Sequence, residues 1–191
     1  SDLKRLLAYS TIAHAGYILI AVAAAGTAGL EDTAAQAVVI YLIAYAFTNA
    51  GAFAVITAME KDDASNTSLD ALRGLASRRP WLAAAMVVFM LSLTGIPLTA
   101  GFVGKWFVFK VALQADLVAA AVVGVLTSAV SAYYYLRVVW MMYFEEGEGD
   151  ATTPPALAWA IGVAAVGTLV LGALPYLLSD MAREITLAFG G

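Results

Sequence analysis

Lys105 closes Pro80–Gly104, twenty-five residues without an ionisable group, and Trp106-Phe107-Val108-Phe109 follows it. Within that run lie Gly95-Ile96-Pro97, Thr99, Gly101 and Gly104, a composition that an unbroken helix avoids. A lysine beside a helix interruption in an apolar segment is costly in lipid, and such residues mark ion or proton paths by default. The N-terminal dipole of a second half-helix repels a cation, whereas carbonyls freed around Ser92–Thr94 can accept hydrogen bonds from it. An amine balanced between these influences can gain and lose a proton. The competing reading is a lysine that snorkels to the interface, which suits Lys110 better because it stands nearer the end of the segment.

His14 lies in a second polar island, Tyr9-Ser10-Thr11-Ile12-Ala13-His14-Ala15-Gly16-Tyr17. Imidazole donates and accepts at once, and its ordinary pKa near 6.5 suits proton transfer. The alternative is a neutral histidine bonded to a neighbouring helix. Thr48 and Asn49, followed by Gly51, interrupt another apolar run and either join helices or line a wet channel. Tyr133, Tyr134 and Tyr135 precede Arg137 and Trp140, the composition of an interfacial belt, with Tyr133 a candidate lining residue. Gly124 and Ser128 read as close-packing positions between helices.

The elements that must carry these residues follow from the charge pattern. The chain is 62% hydrophobic and 13% charged, against about 25% charged in soluble domains. Leu6–Leu30, Thr33–Met59, Pro80–Gly104, Leu117–Leu136 and Ala151–Ser179 carry no Asp, Glu, Lys or Arg, and each reaches the ~20 residues that cross a bilayer. The expected fold is therefore all-α, a polytopic membrane bundle of five spans, at residues 1–30, 33–59, 80–113, 116–144 and 154–179. Span 80–113 is too long for one straight crossing and is expected to be discontinuous, broken near residues 95–99 by Gly95 and Pro97, with Gly101 just beyond. Irregular backbone at that depth requires a protein-lined or wet setting.

Residues 60–79 are expected to form a connector with a short amphipathic helix at the membrane surface, capped by Ser68, with Leu69, Leu72 and Leu75 on one face. Residues 145–153 form an acidic loop, Pro175 is expected to bend the end of the last span, and 180–191 reads as an interfacial segment. Lys4, Arg5, Lys61, Arg73, Arg78 and Arg79 fall on one side, with Arg137 near it, against Arg183 on the other, with Lys110 near its boundary. The positive-inside rule puts the first residues in the cytoplasm and the last outside.

With no cysteine and one histidine, thiolate-held Fe–S or zinc and a histidine metal cluster are excluded. No phosphate loop, dinucleotide fingerprint, catalytic triad or nucleic-acid surface is present. A start at Ser1 leading directly into a span, with no cleavage-like site, suggests a piece of a longer protein.

Asp2-Leu3-Lys4-Arg5-Leu6-Leu7-Ala8-Tyr9-Ser10-Thr11-Ile12-Ala13-His14-Ala15-Gly16-Tyr17 resembles a hallmark of the antiporter-like membrane subunits of respiratory complex I (NADH-quinone oxidoreductase) and of Mrp cation/proton antiporters. Leu93-Thr94-Gly95-Ile96-Pro97-Leu98-Thr99-Ala100-Gly101-Phe102-Val103-Gly104-Lys105 resembles that family's broken twelfth helix with its lysine. Thr48-Asn49-Ala50-Gly51-Ala52-Phe53 and Gly104-Lys105-Trp106-Phe107-Val108-Phe109 are most similar to the subunit N branch. The resemblance covers nearly the whole chain and implies helices ten to fourteen of a fourteen-helix subunit.

It further implies that Lys105 belongs to a proton half-channel and that His14 lies on the same hydrophilic axis. Thr48, Asn49, Ser92, Thr94 and Tyr133 are then candidate lining residues. The implied enzyme is a proton-translocating NADH:quinone oxidoreductase, with NADH, FMN, Fe–S clusters and quinone handled by other subunits and no cofactor in this chain. The implied partners are sister membrane subunits, the lipid bilayer and an upstream part of the same subunit, in a bacterial cytoplasmic membrane. The family's glutamate of helix five and lysines of helices seven and eight lie upstream of Ser1, so this chain is not expected to pump alone. The alternatives are a subunit of an Mrp-type antiporter and a non-translocating membrane scaffold.

Overall fold

The computed structural model describes residues 2–60, 68–147 and 149–189. The expected positions of Lys61 and Glu148 lie outside the described residues. Among the described residues every regular element is a helix. Helix α1 (Leu3–Ala24) begins where Asp2 Oδ1 accepts from the amides of Lys4 (2.7 Å) and Arg5 (3.3 Å), satisfying two donors that a helix start leaves open. Helix α2 (Glu31–Met59) carries Glu31 and Asp32 in its first turn, where the helix dipole favours acids. Helices α6 (Val118–Phe144) and α7 (Pro155–Ala173) complete, among the described residues, a set of four that are long and apolar enough to cross a membrane. Helices α4 (Pro80–Thr94) and α5 (Ala100–Gln114) are shorter, and residues 95–99 join them.

The connector departs from expectation. Ser68 makes no side-chain capping bond; a 3-10 turn (Leu69–Leu72) and the single-turn helix α3 (Leu75–Arg78) flank Gly74, which adopts φ +69°. Leu69, Leu72 and Leu75 are buried in one cluster with Leu3, Leu7, Leu82 and Met142 instead of lying on a surface. Three leucines brought within reach of the ends of α1, α4 and α6 gain more by leaving solvent for that cluster than by lying at an interface. Ion pairs of Lys4 with Glu60, Arg73 with Asp70 (2.8 Å) and Glu145 (3.1 Å), and Arg79 with Asp150 (2.9 Å) ring the same end.

The expected span 154–179 is also two helices, not one bent helix. Helix α7 stops at Ala173, Leu174 takes φ −120° and ψ 68°, and α8 (Pro175–Phe189) restarts at the proline. A residue before proline is pushed out of the helical region, which ends α7 there. Leu178 and Ala182 of α8 are buried with Ile40 and Ala44 of α2 and Ala100 and Val103 of α5.

Candidate functional site

The interruption after α4 is built by two residues that refuse helix geometry. Gly95 turns left-handed (φ +90°), and the amides of Gly95 and Ile96 both fold back onto the Leu91 carbonyl at 3.0 Å, a Schellman-type ending. In a continuing helix the Leu93 carbonyl would accept from the amide of residue 97, but Pro97 has none. The Thr94 carbonyl loses its partner in the same turn, where Leu98 adopts φ +71°. Two carbonyls are thereby left facing inward.

Lys105, in the second turn of α5, meets them. Its Nζ donates to Leu93 O (2.8 Å), to Thr94 O (2.9 Å) and to Ser128 Oγ on α6 (2.7 Å). Three N–H donors thus have three acceptors, the condition for keeping an ammonium with 5% exposure. The face of Tyr17 lies 5.4 Å from the nitrogen and adds a cation–π contact. The lysine stem lies against Gly95, where an added Cβ would stand 3.0 Å from Cδ. A mainly apolar groove of about 330 Å³, lined by Thr94, Phe102, Lys105, Trp106, Phe109 and Ser128 among others, runs beside the amine.

His14 is the second centre. Its Nδ1 lies 2.7 Å from Tyr41 Oη and its Nε2 lies 3.3 Å from Tyr135 Oη, while Tyr45 stacks on the ring at 4.7 Å and Tyr17 meets its edge at 5.7 Å. Tyr135, fully buried, also shares a hydrogen bond with Ser10. An imidazole with a hydroxyl at each nitrogen can take a proton on one side and release one on the other.

Thr48 joins this region to the interruption. Its hydroxyl pairs with Ser92 Oγ (2.8 Å), and Ser92 Oγ accepts from the Gly101 amide (3.0 Å). A Cβ at Gly101 would overlap the Ser92 carbonyl oxygen, so only glycine lets α5 start this close to α4. A cavity of about 10 Å³, room for one water, is lined by His14, Tyr41, Tyr45, Thr48, Ser92, Gly101 and neighbours. Asn49 lies beside Thr48 with its Oδ1 buried and unpartnered. Thr94 contributes its carbonyl to Lys105, while its hydroxyl bonds Met90 O (2.8 Å). Tyr133 is 75% exposed, whereas a two-residue step along α6 turns Tyr135 to the inside of the bundle.

Sequence reasoning passed over Tyr17, Tyr41, Tyr45, Tyr135 and Ser10 as site residues and read Ser128 as packing. The signal was available as helical spacing. Ser10, His14 and Tyr17 on α1, Tyr41, Tyr45 and Thr48 on α2, and Ser128, Ser131 and Tyr135 on α6 recur at three- and four-residue steps within apolar runs. Among the described residues no three His, Asp or Glu side chains converge as a metal site would require.

A family described as NADH:quinone oxidoreductase/Mrp antiporter transmembrane proteins matches residues 1–131. The chain belongs to this family. It is 44% identical to NADH-quinone oxidoreductase subunit N 1 of Herpetosiphon aurantiacus over 98% of this chain and 38% of that protein. It is likewise 44% identical to subunit N 2 of Roseiflexus castenholzii, over 97% of this chain and 38% of that one. The chain thus spans well under half the length of the curated relatives it matches. Among solved structures, a chain of respiratory complex I from Thermus thermophilus with bound aureothin superimposes with TM-score 0.82 at 40% identity, over 94% of this chain and 40% of that one. A chain of the Mrp complex from Dietzia sp. DQ12-45-1b gives TM-score 0.75 at 26% identity, over 93% of this chain and 41% of that one.

Proposed function

We propose that this chain is the C-terminal part of a proton-translocating, antiporter-like membrane subunit of an NADH:quinone oxidoreductase. The observation that carries the reading is the buried Lys105 ammonium, held by two carbonyls that a helix interruption releases and by Ser128. α4 and α5 are then two halves of one discontinuous span, the third of five, and α8 lies beyond the fifth. Helices that end inside a bilayer leave polar groups exposed to hydrocarbon unless protein or water meets them, and here a lysine meets them. Protons pass through Lys105, His14, Thr48, Ser92 and water, while NADH, FMN, Fe–S clusters and quinone are handled by other subunits. The upstream part of the subunit and sister membrane subunits complete the path. The first residues face the cytoplasm and the last face outward, as the lysine and arginine bias requires.

The test is Lys105→Ala in the full-length subunit within its complex, with proton translocation measured against NADH oxidation in vesicles. Translocation should fall while the complex still assembles; normal translocation leaves only a scaffold role. His14→Ala should impair coupling less, because water can replace imidazole in a chain. The likeness to the Mrp complex supports a second reading, a cation/proton antiporter subunit. Sodium-driven proton exchange in vesicles without NADH would favour that reading over the first.

A further inference from the structure

Resting on the proton-translocating reading, we propose that Tyr135 and Ser10 form a conducting arm that joins His14 to a crevice, bordered by three charged side chains, at the N-terminal end of α1. The crevice, of about 360 Å³, is lined by Asp2, Arg5, Leu6 and Tyr9, by Leu69, and by Tyr134 and Arg137 of α6. The crevice and the arm belong to the same two helices, α1 and α6, with the arm deeper between them. Ser10 stands one turn inward of Leu6, about 6 Å along the helix, and the arm requires water to bridge that gap.

Beyond Ser10 the contacts are continuous. Ser10 Oγ bonds Tyr135 Oη, Tyr135 Oη lies 3.3 Å from His14 Nε2, and His14 Nδ1 lies 2.7 Å from Tyr41 Oη, which borders the small cavity with Thr48 and Ser92. Both side chains of the arm are buried, Ser10 at 1% and Tyr135 at 0% exposure. Buried hydroxyls that contact each other and a titratable ring in series can pass protons in one direction and then reset by rotation.

The transfer balances. A proton reaching Ser10 Oγ displaces the serine's own proton to Tyr135 Oη. The tyrosine's proton moves to His14 Nε2, and the imidazole releases the proton of Nδ1 to Tyr41 Oη. Tyr41 in turn passes its own proton toward the cavity. Each hydroxyl and the imidazole end neutral, and one proton has crossed from the crevice side to the interruption side. A packing role for Tyr135 would depend on its ring; the arm depends on its oxygen.

The experiment uses the assembled complex in inside-out vesicles and reads protons moved per NADH oxidised for Lys105→Ala, Tyr135→Phe, Ser10→Ala and Ser10→Thr. Tyr135→Phe keeps the ring and removes the hydroxyl. It and Ser10→Ala should each show at least half of the Lys105→Ala deficit, and Ser10→Thr, which keeps a hydroxyl, should restore most of it. Normal pumping by Tyr135→Phe and Ser10→Ala, beside a Lys105→Ala defect, overturns the arm and leaves the proposed function standing. Normal pumping by Lys105→Ala removes the proposed function itself. A Ser10→Thr loss equal to that of Ser10→Ala also overturns the arm, since packing and not the hydroxyl would then decide. Tyr9→Cys, modified by a membrane-impermeant thiol reagent on the cytoplasmic face, should lower pumping; failure to react there overturns the crevice as the mouth.

Discussion

Helices α4 and α7 both stop just ahead of a proline, yet only the first of these stops holds a cation. Between α4 and α5 lie five residues, two of them with positive φ, and the carbonyls of Leu93 and Thr94 turn inward to Lys105. Between α7 and α8 lies Leu174 alone; its amide bonds Val170 O (2.9 Å) and its carbonyl accepts from Leu177 (3.0 Å). Among the described residues no lysine reaches that second stop. A proline-marked interruption therefore becomes a site when an ionisable side chain reaches the carbonyls it frees, and remains a corner when none does. The two stops touch: a Cβ at Gly172 would overlap the backbone of Thr99, so α7 buttresses the loop that carries the site.

This contrast can be broken most forcefully at Lys105. Lys105→Ala should abolish most proton translocation by the subunit, measured in vesicles against NADH oxidation, whereas Arg183→Ala on α8 should leave it unchanged. Next come the glycines at the two contacts. Gly101→Ala and Gly172→Ala should each cost about 3 kcal/mol through overpacking against backbone, seen as a lower thermal midpoint of the purified subunit. Gly162→Ala, with nothing within 4 Å of its added Cβ, should leave that midpoint unchanged or raise it. Ser128→Ala removes one of three acceptors of the ammonium and should cost about 1 kcal/mol, with a partial fall in translocation. Pro175→Ala should have a small effect, under about 1 kcal/mol and without loss of translocation, because α8 is held by Leu178 and Ala182. If Pro175→Ala matched Gly101→Ala in either measurement, the distinction between site and corner would fail.

What the amino-acid sequence determined by itself was local and chemical. Runs free of charge dictate apolar helices, Gly95 and Pro97 dictate where α4 must end, and the amide missing from Pro97 dictates which carbonyl is freed. Lys105 and His14 stood out because ionisable groups are rare in such runs. Tertiary structure decided which faces meet. Tyr133 and Tyr135 are equally tyrosine, but a two-residue step rotates about 200° around a helix, and only packing of α6 against α1 selects the one that reaches His14. Ser128 gains its role from Thr94 and Lys105, far away in the chain, and Leu69, Leu72 and Leu75 gain burial from α1, α4 and α6. Backbone conformation follows from short-range sterics and hydrogen bonding; a partner across the bundle depends on every helix that must turn its small face inward at once.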